Sequence, residues 1–68
     1  MCNEDLLDSM KEIVASLITH TDELRLKFND VEEEQREGNL DGESLAGLNR
    51  TIHLLESDSA AFEKILGE

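Results

Sequence analysis

The sequence predicts an all-α fold: an antiparallel two-helix hairpin, its first helix long and its second shorter, assembling into a homo-oligomeric helical bundle. Three observations predict it. Apolar residues recur at steps of three and four through most of the chain, one short glycine-bearing break (Gly38-Asn39-Leu40) interrupts them, and there is no proline. Steps of three and four put side chains on one face of a helix. A connection this short folds neighbouring helices back antiparallel.

Helix 1 is expected over about residues 4–36, with apolar residues at Leu6, Leu7, Met10, Ile13, Val14, Leu17 and Ile18, then Leu24, Phe28 and Val31. Asn3 is suited to cap it. Glu4 and Asp5 follow, where acids complement the positive end of the helix dipole, and Gly38 is a natural stop. The seam reads Leu17, His20, Leu24, Phe28, Val31. Its two successive steps of four are a stutter that would locally unwind a left-handed supercoil.

The turn is expected at residues 38–40 and helix 2 over about residues 41–66, capped by Asp41 and ended by Gly67. Leu45, Leu48, Ile52, Leu55, Ser59, Phe62 and Leu66 form an unbroken heptad seam. Folded antiparallel, Val31 is expected to face Leu48, Phe28 to face Ile52, Leu24 to face Leu55, and Leu17 to face Phe62. Ile13 or Val14 would then face Leu66. One layer is polar, with His20 and Thr21 opposite Ser59.

The 68 residues make one domain, residues 1–68. A core this small seldom supplies more than ~3–5 kcal/mol without disulfides, a metal or self-association. The single cysteine, Cys2, allows no internal disulfide, and no Cys/His cluster suggests zinc. Self-association is the stabiliser left, most simply as a homodimeric four-helix bundle of coiled-coil character. Leu6, Leu7 and Met10 are expected to project beyond the shorter helix 2. With Ile13, Val14, Leu17 and Ile18 they make a broad apolar face, expected to be the oligomer interface.

Charge narrows the function. Seventeen acids against six bases give a net charge of −11. That repels phosphate backbones and anionic lipid, so direct nucleic-acid or membrane binding is not expected. Phe28 and Phe62 are the only aromatics, too few for a base-stacking platform. The acidic N-terminus lacks the pattern of a signal peptide, and a lone thiol suits a reducing compartment, so a cytoplasmic location is expected.

Glu32, Glu33, Glu34 and Glu37 crowd the end of helix 1, with Asp41 and Glu43 just across the turn and only Arg36 to offset them. At the negative end of the helix dipole such crowding is unfavourable. The cluster is either a solvated, solubilising tip or the docking point for a basic protein surface. His20, with Glu23 and Asp58 nearby, has the elements of half a metal site. Bundle metal sites, however, use paired Glu-x-x-His motifs from several helices. A polar layer of His20, Thr21 and Ser59 that fixes register is the expectation. No metal, no cofactor and no catalytic residue are expected: there is no Gly-rich phosphate loop, and Cys2 has no neighbouring base.

The stretch Glu37-Gly38-Asn39-Leu40, then Glu43-Ser44-Leu45, with Arg50 and Leu54 beyond, resembles the small subunit of exonuclease VII, a short acidic helical hairpin. The likeness covers about 20 residues. Gln35 stands where that family has leucine, Gly42 where it has an apolar residue, and helix 1 begins earlier. It implies an assembly subunit of a nuclease complex. The residues themselves point to a non-enzymatic acidic protein-binding module, acting as a regulator, inhibitor or assembly subunit through an oligomeric bundle. An acidic nucleic-acid mimic of the anti-defence kind is the alternative.

Overall fold

The computed structural model describes residues 3–67, and it is two helices packed side by side. α1 spans Asn3–Glu37 and α2 spans Gly42–Ile65. The side chain of Asn3, expected to cap α1, and the environment of Cys2 lie outside what the structure describes. No helix is long and apolar enough to cross a membrane among the described residues.

The turn is built from local chemistry. Gly38 takes φ +76°, a left-handed conformation that suits a residue without Cβ. The Asn39 amide then donates to the Glu34 carbonyl at 2.8 Å and the Gly38 amide to the Gln35 carbonyl at 3.2 Å. This Schellman pair satisfies carbonyls that the end of α1 would otherwise leave open. Asp41, in extended conformation, accepts from the Ser44 amide at 2.9 Å and caps α2. The Ser44 hydroxyl donates to Glu34 Oε1 at 2.7 Å, so the turn also ties the two helices together.

The inter-helix seam differs from the sequence expectation by a rotation. On α2 the half-buried or buried residues are Ser44, Leu48, Thr51, Leu55, Asp58, Phe62 and Ile65, with Gly47 beside them. Leu48, Leu55 and Phe62 lie where expected. Leu45, Ile52, Ser59 and Leu66 do not: each is exposed, and the residue just before it takes the seam position. On α1 the half-buried residues are Met10, Ile13, Ser16, Leu17, His20, Leu24, Val31 and Glu34; Ser16 apart, they keep alternating steps of three and four, provided exposed Lys27 rather than Phe28 is counted between Leu24 and Val31. Lys27 does cross over Gly47. The expected stutter is therefore absent, and Phe28 and Ile52, expected in the inner seam, stay 49% and 40% exposed. The reason is geometric. Each helix carries apolar residues on three adjacent heptad columns, and one neighbouring helix covers only two.

The register is also displaced. Ser16 and His20 meet Asp58, and Leu6 shares a groove with Asp5, Ser9 and Ile65. Helix 2 thus reaches further along α1 than expected, because the tight turn already sets Ser44 against Glu34. Met10 does not project past it, and Leu6 borders its end.

Two helices give one layer and no enclosed interior. The chain measures 55 × 17 × 12 Å with a radius of gyration of 15.9 Å, against roughly 11 Å for a compact domain of this length. No apolar side chain is fully buried among the described residues; the most buried side chain is Thr51, 2% exposed, whose hydroxyl donates to the Gly47 carbonyl at 3.1 Å.

The glycines give two opposite predictions. A Cβ at Gly47 would meet only the ends of flexible side chains, Arg50 Nη2 at 3.7 Å and Lys27 Cδ at 3.9 Å. Gly47→Ala should therefore stabilise the chain by about 0.5–1 kcal/mol through helix propensity. Gly38→Ala should destabilise it by about 1–2 kcal/mol, the cost of a left-handed residue with a Cβ. Urea denaturation of the two variants beside the parent checks both signs.

Candidate interaction surfaces

The rotation of the seam leaves one long side of the hairpin apolar. On α1 the column next to the seam holds Leu7, Val14, Thr21 and Phe28, with Ile18 just beyond, all exposed. On α2 the equivalent column is Leu45, Ile52, Ser59 and Leu66, also exposed. Both columns follow the seam in the same angular sense. In an antiparallel pair, columns of the same sense lie on the same side of the two-helix layer. The opposite flank bears this out: Glu23 and Lys27 of α1 line one groove together with Gly47 and Leu54 of α2. That flank is mostly polar. Lys27 and Arg50 converge there over Gly47, beside Asp30, Glu43 and Ser44.

The residues expected at an oligomer interface divide accordingly. Met10, Ile13 and Leu17 are half-buried against α2 of the same chain. Leu7, Val14 and Ile18 stay exposed on the apolar side, and Leu6 stands at its edge beside Ile65. Sequence reasoning assigned Phe28, Leu45, Ile52 and Leu66 to the inner seam and so missed them as free surface. The available signal was the width of the apolar arc, which needs two neighbours per helix.

The polar layer is present in altered form. Asp58, not Ser59, is the partner of His20: His20 Nδ1 lies 2.6 Å from Asp58 Oδ2, with the side chains only 20% and 15% exposed. Ser16 donates to the other carboxylate oxygen at 2.9 Å. Thr21 and Ser59 lie outside this cluster, on the exposed apolar side. The Asp58 carboxyl is held below its ordinary value, first by the hydrogen bond from His20. Ser16 and the charge of the imidazole add to this, against the cost of burial.

Serine, histidine and aspartate together invite comparison with a nucleophilic triad. A triad needs serine on one ring nitrogen and the carboxylate on the other. Here both approach Nδ1, with Ser16 Oγ at 3.4 Å, and the serine proton goes to Asp58. The cluster joins two helices and leaves serine without a general base.

At the turn, Glu34 and Asp41 are occupied by Ser44, as already described. Glu32, Glu33, Glu37 and Glu43 are exposed, and none of the six acids forms an ion pair among the described residues.

The lowered Asp58 carboxyl predicts an acid-sensitive link. Its folded-state value lies below the ordinary 3.8, so the stabilisation is fully present above that pH and is lost as pH falls through the folded value. The stability gap between the parent and Asp58→Asn should therefore shrink steadily as pH falls below about pH 4 and the carboxyl takes up its proton. His20→Leu alone should destabilise by leaving the carboxylate without its main partner, whereas His20→Leu with Asp58→Leu should recover the loss. Denaturant midpoints across pH measure both.

Comparison of the chain with protein-family models, with curated proteins and with solved structures gives no match.

Proposed function

We propose that this chain is a non-enzymatic protein-binding module, a regulator, inhibitor or assembly subunit, and that it works as a helical bundle of more than one copy. The observation that carries the reading is the missing interior. The chain exposes 5228 Å², whereas a compact monomer of 7.6 kDa exposes roughly 4,300 Å². The excess, about 900 Å², is close to what one partner contributes to a standard protein interface, ~800 Å². Eleven large apolar side chains are exposed among the described residues while none is buried. A surface of that kind marks an interaction site.

Self-association occupies the apolar side and leaves the acidic turn free. Glu32, Glu33, Glu37 and Glu43 would dock a basic protein surface there, with Glu34 and Asp41 retained for the turn. Charges so exposed steer association more than they hold it, and their effect is screened by salt.

Sedimentation equilibrium at micromolar concentration should show a dimer or higher oligomer whose thermal midpoint rises with protein concentration. A folded monomer would overturn the reading. Reversing Glu32, Glu33 and Glu37 to Lys should leave sedimentation unchanged. It should raise stability by about 0.3–1 kcal/mol per site at low salt, since these acids oppose the α1 dipole. The reversed protein should also fail to retain a partner that the parent captures from extract at low salt.

A further inference from the structure

The apolar side of the hairpin carries little of the chain's charge. Its two columns next to the seam hold no charged residue on either helix. In the outer column of α1, Lys11 and Arg25 cancel Glu4 and Glu32, with Ile18 between them. In the outer column of α2, Glu56 and Glu63 stand beside Gly42 and Asn49. This side therefore contributes −2 of the net −11, and the remaining −9 lies off the face. Much of it is on the opposite flank of α1, where Asp5, Glu12, Glu23, Asp30, Glu33 and Glu37 are all exposed. No base stands in their two columns, although Lys27 reaches toward them from the seam. Among the described residues, Arg25 is the only lysine or arginine in an ion pair, and its partner is exposed Asp22. The chain thus reaches any contact with its charge almost wholly uncompensated.

We propose that ionic strength gates self-association through this face: screening favours the paired form, and dilute salt favours the single chain. The inference rests on the self-association reading and adds its control. Attraction between two apolar faces is short-ranged and needs no ions. Repulsion between two chains of net charge −11 acts over a longer distance. It does so whichever way round the faces meet, because packed helices lie only about 10 Å apart. Raising sodium chloride from ~20 to ~500 mM shortens the reach of that repulsion from ~20 Å to ~4 Å, well inside the helix spacing. Ion pairs at the rim do not balance it, since each chain brings two bases there against four acids. The acidic turn answers salt in the opposite sense, because its attraction for a basic surface is what the same ions screen. Low salt therefore presents the turn of a free chain, and high salt presents a paired chain whose turn is muted.

Sedimentation over a dilution series in low and high sodium chloride tests this. The parent's dissociation constant should fall about tenfold between ~20 and ~500 mM salt. Glu12→Gln, Glu23→Gln and Asp30→Asn together neutralise three acids on the flank away from the contact. Repulsion follows the product of the two net charges, so this variant loses about half of it. It should pair about threefold more tightly than the parent in ~20 mM salt and no differently in ~500 mM. Where a chain is already paired at the working concentration, such charge changes move only the dissociation constant and leave the sedimenting species as it was. A parent constant that rises with salt, or ignores it, would overturn the gate. So would a fall of equal size in parent and variant, because salt would then be acting on the apolar contact itself. In each of those outcomes pairing stands. A parent that is folded and monomeric at both salt concentrations would instead overturn self-association.

Discussion

Two helices side by side touch along a line, and a line of contact can absorb only two of the seven heptad columns on each. Everything unusual about this chain follows from that limit. Its helices carry three apolar columns, so one column on each remains outside whichever pair is chosen. The residue with least exposure is a threonine, Thr51, whose hydroxyl is returned to its own backbone. An elongated single layer with leucine, isoleucine and phenylalanine on one side is the shape these constraints leave to a single chain.

Polar chemistry decides which two columns are used. Ser44 against Glu34 anchors the contact at the turn, and Asp58 against His20 and Ser16 anchors it near the middle. Apolar side chains can slide past one another by a turn at small cost, whereas a part-buried carboxylate that loses its donors cannot. Two such fasteners along one seam fix both rotation and axial level. They also explain why polar residues interrupt the seam: contact within the chain is specified by hydrogen bonds, and Leu45, Ile52 and Leu66 are left on the outer face. The polar flank is consistent with this division, since Lys27 and Arg50 cover Gly47 there and only Leu54 is large and apolar in the grooves they line.

The number of helices, their limits to within a residue or two, the turn glycine and the Asp41 cap were all legible from local signals. Those signals are carried by neighbouring residues and hold in any environment. Rotation was not legible in the same way. Leu45, Ile52 and Leu66 make a cleaner apolar seam than Ser44, Thr51 and Ile65, and periodicity alone favours the cleaner one. Choosing between adjacent columns required knowing that Ser44 would reach Glu34 and that Asp58 would reach His20, contacts between residues 10 and 38 positions apart. The polar layer was half legible for the same reason: His20 identified itself by interrupting an apolar stripe, while Asp58 did not, because an acid outside the supposed seam looks like any solvated acid. The acidic turn was visible as a cluster, but the internal tasks of Glu34 and Asp41 appear only when the turn is closed.

The double use of Ser44 bears on the order in which the hairpin assembles. Its amide completes the cap of α2 and its hydroxyl reaches α1, so a closed segment of only eleven residues, Glu34 to Ser44, already contains both the reversal and the first inter-helix contact. Short loops cost least entropy to close, and local contacts form fastest. Pairing therefore starts at the turn and proceeds toward the far end, passing the Asp58 cluster midway and reaching Leu6 and Ile65 last. Opening runs in the reverse direction. Backbone amides should exchange with solvent soonest at the free ends of the two helices and latest between the two fasteners, so that a chain without an interior still has a protected centre, set by hydrogen-bonded cross-links instead of by buried hydrocarbon.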